Sequence, residues 1–111
     1  MYKQLILTNN ERKAIASFKD VIDKKYNLID IEIFGSKARG DYTKESDIDI
    51  MIILHELNPT IEAEIDDIIF NINLKYDVLI CIVIFTKKEL EDGPMDESPL
   101  FRTIRREGVM V

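Results

Sequence analysis

The segment from Asp47 to Leu54 constrains the fold more than any other, because two carboxylates are followed there by an unbroken apolar run. A strand with one face in solvent would carry a polar residue at every second position, and none follows Asp49 before the strand ends. An apolar run of this length is typical of a strand that is buried on both faces. We therefore expect an interior strand of a sheet, with other elements packed on it.

Local sequence signals predict the elements on either side of this strand. Asn9 or Asn10 can cap a first helix, whose apolar residues recur at helical spacing. Asn58-Pro59 is a typical helix start, with asparagine as the cap and proline in the first turn. The expected elements are a helix from residue 9 or 10, a strand over 28–34, a turn over 35–42, a strand over 47–54, a helix from 58, a strand over 77–85, a short helix opened by a Thr86–Glu89 capping box, and a last helix from 98 to 106 or 107.

The connections between the strands predict a mixed sheet. The strands over 47–54 and 77–85 are joined through a helix, so we expect them to be parallel with a right-handed crossover. The strands over 28–34 and 47–54 are joined by a short connection, so we expect them to be antiparallel. The predicted fold class is α+β, with a small mixed sheet of three or four strands and helices packed on it, in the order α-β-turn-β-α-β-α-α. Residues 1–111 form one domain on this interpretation.

The charge balance restricts what the chain can bind. The net charge is −6, which argues against a protein that binds nucleic acid over a broad surface, because phosphate contacts need clustered lysine and arginine.

No apolar stretch reaches the length of about 18 residues that suggests a membrane helix, and the first residues lack the features of a signal peptide. Cys81 is the single cysteine, and its apolar neighbours suggest a small buried side chain. We expect a cytoplasmic protein without membrane contact.

Asp47 and Asp49 are the first candidates for chemistry. Residues at i and i+2 of a strand point to the same side, with their Cα atoms about 7 Å apart. Two carboxylates at this spacing can converge on a pair of divalent ions, which is the geometry of two-metal phosphoryl chemistry. Taken alone, the pair is also compatible with turn or capping residues at a solvated strand start.

Gly35 and Ser36 directly follow the preceding predicted strand and open a turn. Glycine lets the backbone approach a phosphate, and free N–H groups at a helix start form an anion site. Ser36 adds a hydroxyl donor, and Arg39, one helical turn later, could bind a phosphate through two parallel hydrogen bonds. By itself, this segment is also typical of an ordinary turn with a serine cap.

Two other phosphate and metal motifs are rejected. Gly35 and Gly40 have the spacing of a P-loop, but Asp41 and Tyr42 stand where lysine and serine or threonine are required. An acid in place of that lysine would repel the phosphates. An EF-hand is excluded because the aspartate pair is not followed by a further oxygen ligand and a glycine at the required spacing.

Asp77 offers a third carboxylate, at the start of the strand predicted over 77–85. Alternation along this strand puts Asp77 and Cys81 on one face. If the two parallel strands are neighbours, Asp77 lies near Asp47 and Asp49, where it could complete a metal site or act as the base for an attacking hydroxyl. Asp77 is equally compatible with an ordinary residue of a turn or strand start.

Taken together, these residues resemble the signature of the polymerase-beta-type nucleotidyltransferases. That signature is an apolar residue and Gly-Ser, then a gap, and then Asp-apolar-Asp. Here it consists of Phe34-Gly35-Ser36, the ten residues 37–46, and Asp47-Ile48-Asp49. The form Gly-Ser-x-Ala-Arg-Gly, the small size and the final segment SPLFRTIRREGV are similar to the minimal nucleotidyltransferases, so the resemblance covers nearly the whole chain.

The resemblance implies a role for each carboxylate and for the glycine turn. Gly35 and Ser36 would hold the triphosphate of a nucleotide such as ATP. Asp47 and Asp49 would bind two magnesium ions and be catalytic. Asp77 would match the third carboxylate of the family, as a further catalytic metal ligand.

The resemblance also concerns neighbouring residues and a partner. Arg39 and Ser46 match motif positions and are candidate nucleotide-binding residues, whereas Lys37 stands where many members carry arginine. Small members of the family commonly act as antitoxins beside a HEPN-type toxin, and some transfer AMP from ATP to a tyrosine of that toxin. The resemblance therefore implies transfer of a nucleoside monophosphate to a hydroxyl of a helical partner protein. Two alternatives stay open: an antitoxin that acts by binding alone, and a nucleotidyltransferase subunit with a small-molecule acceptor.

Overall fold

The structure is a computed structural model that describes residues 7–39, 47–92 and 98–111. Within these ranges, the chain forms five helices and four strands. Their bounds are α1 Asn9–Tyr26, β1 Asp30–Phe34, α2 Ser36–Arg39, β2 Ile48–Leu54, α3 Pro59–Tyr76, β3 Ile80–Thr86, α4 Lys87–Asp92, α5 Pro99–Glu107 and β4 Val109–Met110.

The four strands form one sheet in the order β3-β2-β1-β4. β1 is antiparallel to β2, and β2 is parallel to β3 with α3 as the crossover, so both predicted directions are confirmed. The two-residue β4 pairs antiparallel with β1 and is the fourth strand that the sequence left open. The predicted mixed α+β fold is thereby confirmed.

Side chains cap the two long helices in a way that the sequence only partly predicts. The expectation that Asn9 or Asn10 caps α1 is wrong, because Thr8 is the cap and forms a reciprocal capping box with Glu11. The predicted start of α3 is confirmed: Asn58 Oδ1 accepts a backbone hydrogen bond of 2.9 Å in the first turn, and proline follows it. Residues that favour a helix cap therefore mark the start of a helix to within one or two positions.

The two short helices after β3 begin as predicted. The Glu89 N–H donates to Thr86 Oγ1 and the Thr86 N–H donates to the Glu89 carboxylate, each over 3.2 Å, which confirms the capping box. α5 begins at Pro99 and ends at Glu107, one residue before Gly108. None of the helices in the described ranges has the length and apolar character needed to span a membrane.

The sheet separates two apolar layers of different size. One face packs against α1 and α3 and forms the larger layer, and the other face packs against α5 and forms the smaller one. Alternate residues of β2 enter opposite layers, so this strand is buried on both faces as its apolar run predicts. The buried residues of the larger layer are Ala14, Ile15, Phe18, Ile22, Ile31, Ile33, Ile48, Ile50, Ile52, Leu54, Ile65, Ile72 and Ile80, and those of the smaller layer are Met51, Ile53, Phe85 and Ile104.

Candidate active site

The turn after β1 is placed against the first residues of β2 by the antiparallel register. Phe34, the last residue of β1, lies opposite Asp49, so Gly35 follows immediately beside that carboxylate. Gly35 has φ +73°, in the left-handed region that favours glycine. A Cβ atom at Gly35 would also overlap Oδ2 of Asp49 and lie 3.3 Å from its Cγ. The backbone of the turn therefore contacts the Asp49 carboxylate directly, and no larger residue fits.

Ser36 opens α2, a single helical turn that begins directly after this glycine. The Arg39 N–H donates to the Gly35 carbonyl over 3.0 Å, which closes the turn. Lys37 and Ala38 are buried, and Ser36 is half-buried. The segment predicted as a turn contains this short helix, which holds Ser36 next to the glycine that contacts Asp49.

Lys37 anchors α2 to the first turn of α1. Its Nζ lies 2.9 Å from Oε2 of Glu11, and the two side chains are only 3% and 11% exposed. The other carboxylate oxygen of Glu11 accepts the Thr8 N–H of the capping box. Burial tends to raise the pKa of Glu11, but the hydrogen bonds from Thr8 and Lys37 and the charge of Lys37 outweigh it, so this pKa is lowered.

Asp47 and Asp49 form a close pair of carboxylates at the start of β2. The pKa of Asp49 is raised, first by its burial and then by the negative charge of Asp47, while the positive charge of Arg39 acts in the opposite direction. A second negative charge beside a half-buried carboxylate is unfavourable unless a cation compensates it. Hard oxygen ligands are those that magnesium prefers, so these two side chains fit the divalent ions that the family resemblance implies.

Cys81, rather than a carboxylate, lies beside the pair on β3. The parallel register places Cys81 next to Asp49, and its thiol donates to Oδ2 of Asp47 over 3.4 Å. Burial, followed by the hydrogen bond and charge of Asp47 and the charge of Asp49, raises the pKa of Cys81 to about 11, so the thiol is protonated at neutral pH. Cys81 is exposed, so the interpretation of a buried side chain is wrong. Alternation had put Cys81 on the face predicted for Asp77, but the register that brings it to Asp47 could not be derived from sequence.

Asp77 lies at the end of α3 and not at the start of β3. It is the C-cap residue, with φ 53°, and its N–H donates to the Asn73 carbonyl. The expectation that Asp77 begins the third strand is therefore wrong, since β3 begins at Ile80. In the described part of the chain, no three acidic, histidine or cysteine side chains are grouped so that they could hold a metal ion. The role of Asp77 as a third ligand stays a prediction.

Arg39 is positioned between the aspartate pair and the end of α5. Its NH1 group donates to Oε2 of Glu107 over 3.2 Å, and its charge lowers the pKa of Asp49 against the effect of burial. Glu107 is a residue that sequence patterns did not single out, because it is 68 positions away and no local motif links the two. Ser46, the other predicted nucleotide-binding residue, lies outside the described ranges, so its role stays a prediction.

A separate cavity of about 370 Å³ lies at the opposite end of β2 from the aspartates. It is lined by Lys25, Tyr26, Asn27, His55, Glu56 and Ile61. Because Asp47 and Asp49 stand at the start of β2 and His55 follows its end, this cavity is not part of the candidate active site. The aspartate pair instead shares the sheet face of the smaller apolar layer.

Comparison with known proteins agrees with the signature that the site displays. Residues 15–106 match the family described as "Nucleotidyltransferase domain". A protein of Methanocaldococcus jannaschii that is provisionally named a protein adenylyltransferase is 40% identical over 81 residues, which cover 71% of this chain and 74% of that protein. The chain therefore belongs to the nucleotidyltransferase family, and it is a nucleotidyltransferase enzyme.

Solved structures with low sequence identity share this fold. A structure described as a toxin–antitoxin with AMP-PNP matches with a TM-score of 0.61 and 23% identity, over 93% of this chain and 72% of that chain. A structure described provisionally as a minimal nucleotidyltransferase matches with a TM-score of 0.60 and 18% identity, over 90% of this chain and 91% of that chain. At these identities the likeness supports the fold assignment alone.

Proposed function

We propose that this nucleotidyltransferase transfers AMP from ATP to a hydroxyl group of a partner protein, with magnesium ions bound at Asp47 and Asp49. The observation that carries the proposal is the contact between the Gly35 turn and the Asp49 carboxylate, with Asp47 beside it. A turn whose backbone can approach phosphate and a pair of metal-binding carboxylates are thereby brought to one place. A nucleoside triphosphate with its magnesium ions is the ligand class that needs both.

The reaction on this proposal is a displacement at the α-phosphorus of ATP. The acceptor oxygen forms a new bond to that phosphorus, the bond from the α-phosphorus to the bridging oxygen breaks, and pyrophosphate leaves. Bound magnesium would supply positive charge that stabilises the phosphate oxygens in the transition state. Gly35, Ser36 and Arg39 hold and orient the triphosphate, and the acceptor proton is taken up by a carboxylate of the site. Ser46 and Asp77 keep the nucleotide-binding and carboxylate roles that the family resemblance implies.

The partner in this proposal is a helical toxin of the HEPN type, with the present chain as its antitoxin. The family resemblance supports this partner, as does the description of a structural neighbour as a toxin–antitoxin with AMP-PNP. The net charge of −6 favours a protein acceptor over a nucleic acid. Residues 1–111 would act as one domain in the cytoplasm, in complex with the toxin.

The test is label transfer to a HEPN-type helical protein, sought first among the gene products encoded beside this chain. The two purified proteins are incubated with magnesium and with ATP labelled on either the α- or the γ-phosphate. Transfer of AMP predicts that the α-label alone becomes attached to the partner and that its mass rises by one AMP. A partner labelled from the γ-phosphate would instead show phosphoryl transfer, and no label on a partner that binds would contradict the proposal.

A double variant, Asp47→Asn with Asp49→Asn, distinguishes catalysis from neutralisation by binding. If AMP transfer is the mechanism, the double variant binds the partner but fails to label it and fails to suppress its toxicity. Equal suppression by the variant and the wild type would favour an antitoxin that acts by occupancy. Labelling of a small hydroxyl compound in preference to the partner would favour the small-molecule alternative.

A further inference from the structure

Arg39 lies where three segments of the fold meet. It is the last residue of α2, its charge acts on Asp49 of β2, and its guanidinium binds Glu107 at the end of α5. The Arg39 side chain is 45% exposed and that of Glu107 is 19% exposed, so the pair lies at the edge of the site. The guanidinium is therefore partly open to solvent.

Glu107 itself is held firmly by the residues that precede it on α5. Ile104 is fully buried in the smaller apolar layer, and the Gly108 N–H donates to its carbonyl. The guanidinium of Arg105 binds Asp30 over 2.7 Å and Glu32 over 2.6 Å, which fixes the same helical turn to β1. A carboxylate on so well anchored a turn is a rigid partner for a long and otherwise rotatable arginine side chain.

The ion pair contributes little to folding, because ion pairs at the protein surface are weak. Its geometric effect is larger, since an arginine recognises phosphate through a planar fork whose orientation decides whether two parallel hydrogen bonds form. An arginine that is already oriented loses less conformational entropy when phosphate binds. The effect of Glu107 should therefore appear in nucleotide affinity and not in stability.

We propose that Glu107 is a positioning residue that orients Arg39 toward the phosphates of the bound nucleotide. The inference rests on the proposed function, because it requires that Arg39 contacts the triphosphate. It also assigns a task to the C-terminal helix, which contributes to the active site through this carboxylate although it lies far from the signature in sequence. Glu107 acts through Arg39 and does not touch the reacting atoms.

The test compares ATP binding and AMP transfer by the full-length wild type and a Glu107→Gln variant. For Glu107→Gln, we expect the Kd and KM for ATP to rise about five- to tenfold, because Arg39 is no longer oriented before the nucleotide binds. The kcat should change less than twofold, because Glu107 does not touch the reacting atoms. Glu107→Asp, which keeps the charge, should recover part of the affinity. The matched control is Glu91→Gln, which removes an exposed ion pair with Lys87 on α4 and should leave Kd, KM and kcat unchanged. Thermal melting of all variants should stay within about 2 °C of the wild type.

An Arg39→Gln background decides whether Glu107 acts through that arginine. In this background, Glu107→Gln should produce no further rise in the Kd for ATP, because the group it positions is gone. A full additional effect, or an unchanged Kd for Glu107→Gln alone, would overturn the inference while leaving the proposed function intact. Failure of the wild type to bind ATP with magnesium would overturn both.

Discussion

At the scale of single residues, Gly35 meets two separate demands. Its left-handed φ would cost most L-residues about 1–2 kcal/mol, and its missing side chain leaves room for the Asp49 carboxylate. We predict that Gly35→Ala displaces Asp49 and lowers AMP transfer by at least about a hundredfold, since small misplacements of a reacting group are that costly. The loss of stability should stay near the backbone cost. Steady-state kinetics and thermal melting measure the two effects, and an active Gly35→Ala protein would contradict the geometry.

Separate substitutions to asparagine test the two proposed metal ligands Asp49 and Asp77. Asp49→Asn removes a carboxylate from the pair and should reduce activity by more than about a hundredfold, which is the upper loss found even for indirect partners of metals. It should not lower the melting temperature, because burial and Asp47 already disfavour the ionised form of Asp49. Asp77→Asn should also reduce activity, because Asp77 has the role of third carboxylate in the proposed function, while asparagine tolerates the left-handed φ and preserves the cap of α3. An Asp77→Asn protein with wild-type activity would contradict that role.

The residues of the site were predictable from sequence only where the signal is local. Gly35 and Asp49 belong to one motif. They come into contact because β1 and β2 are antiparallel and Phe34, directly before Gly35, pairs with Asp49. Cys81 and Glu107 reach the site through strand register and helix docking, which depend on packing across the whole sheet. Asp77 shows the converse: the resemblance supplied a role, but β3 begins three residues later than predicted, so Asp77 lies at the end of α3 and not on the strand.

At the scale of elements, α2 is too short to be stable alone and depends on its anchors. The buried pair of Lys37 and Glu11 ties it to α1, and removal of one partner from such a pair typically costs about 3–5 kcal/mol. We predict that Glu11→Gln loses about 3 kcal/mol of the free energy of unfolding at neutral pH. Asp20→Asn, which removes an exposed pair with Lys24 on the same helix, should change it little.

The contribution of Glu11 should also depend on pH in a defined direction. Its folded pKa is lowered, so the stabilisation is present above the ordinary value of 4.5 and is lost as the pH falls through the lowered value. The difference in unfolding free energy between wild type and Glu11→Gln should therefore shrink below pH 4.5. Urea denaturation from pH 7 to pH 3 measures it. A difference that stays constant over this range would show that the charge of Glu11 is not the source of its effect.

Most elements followed from sequence because their signals lie within a few residues. The helix starts at Asn58-Pro59 and at the Thr86–Glu89 box are confirmed, because the cap side chains hydrogen-bond to backbone N–H groups only three residues away. The two-residue β4 has no pattern of its own and exists because α5 returns the chain to the edge of β1. The starts of β1 and β3 lie two and three residues after the predicted ones, because pairing with a neighbouring strand and not local composition sets the ends of a strand.

At the scale of the whole molecule, the two faces of the sheet have different roles: one contributes mainly to stability, and the other also supports the candidate active site. The larger layer, with α1 and α3, holds most of the buried apolar residues. The smaller layer, with α5, lies on the same face as the aspartate pair and carries the turn that ends at Glu107. A larger layer weakened far from Glu11 should therefore affect folding alone, whereas a weakened smaller layer should also disturb nucleotide binding.

The same substitution on each side of the sheet tests this division. Ile104 and Ile22 are both fully buried, in the smaller and the larger layer, and truncation of either to alanine should cost about 2–5 kcal/mol. Ile104→Ala should additionally raise the KM for ATP severalfold, because it loosens the turn that holds Glu107 against Arg39. Ile22→Ala should leave KM unchanged, since Ile22 lies about three turns from Glu11, where α1 meets the site. Both are measured well below the melting temperature of the less stable variant. Equal changes in KM would mean that the site senses global stability, and that neither face of the sheet supports it selectively.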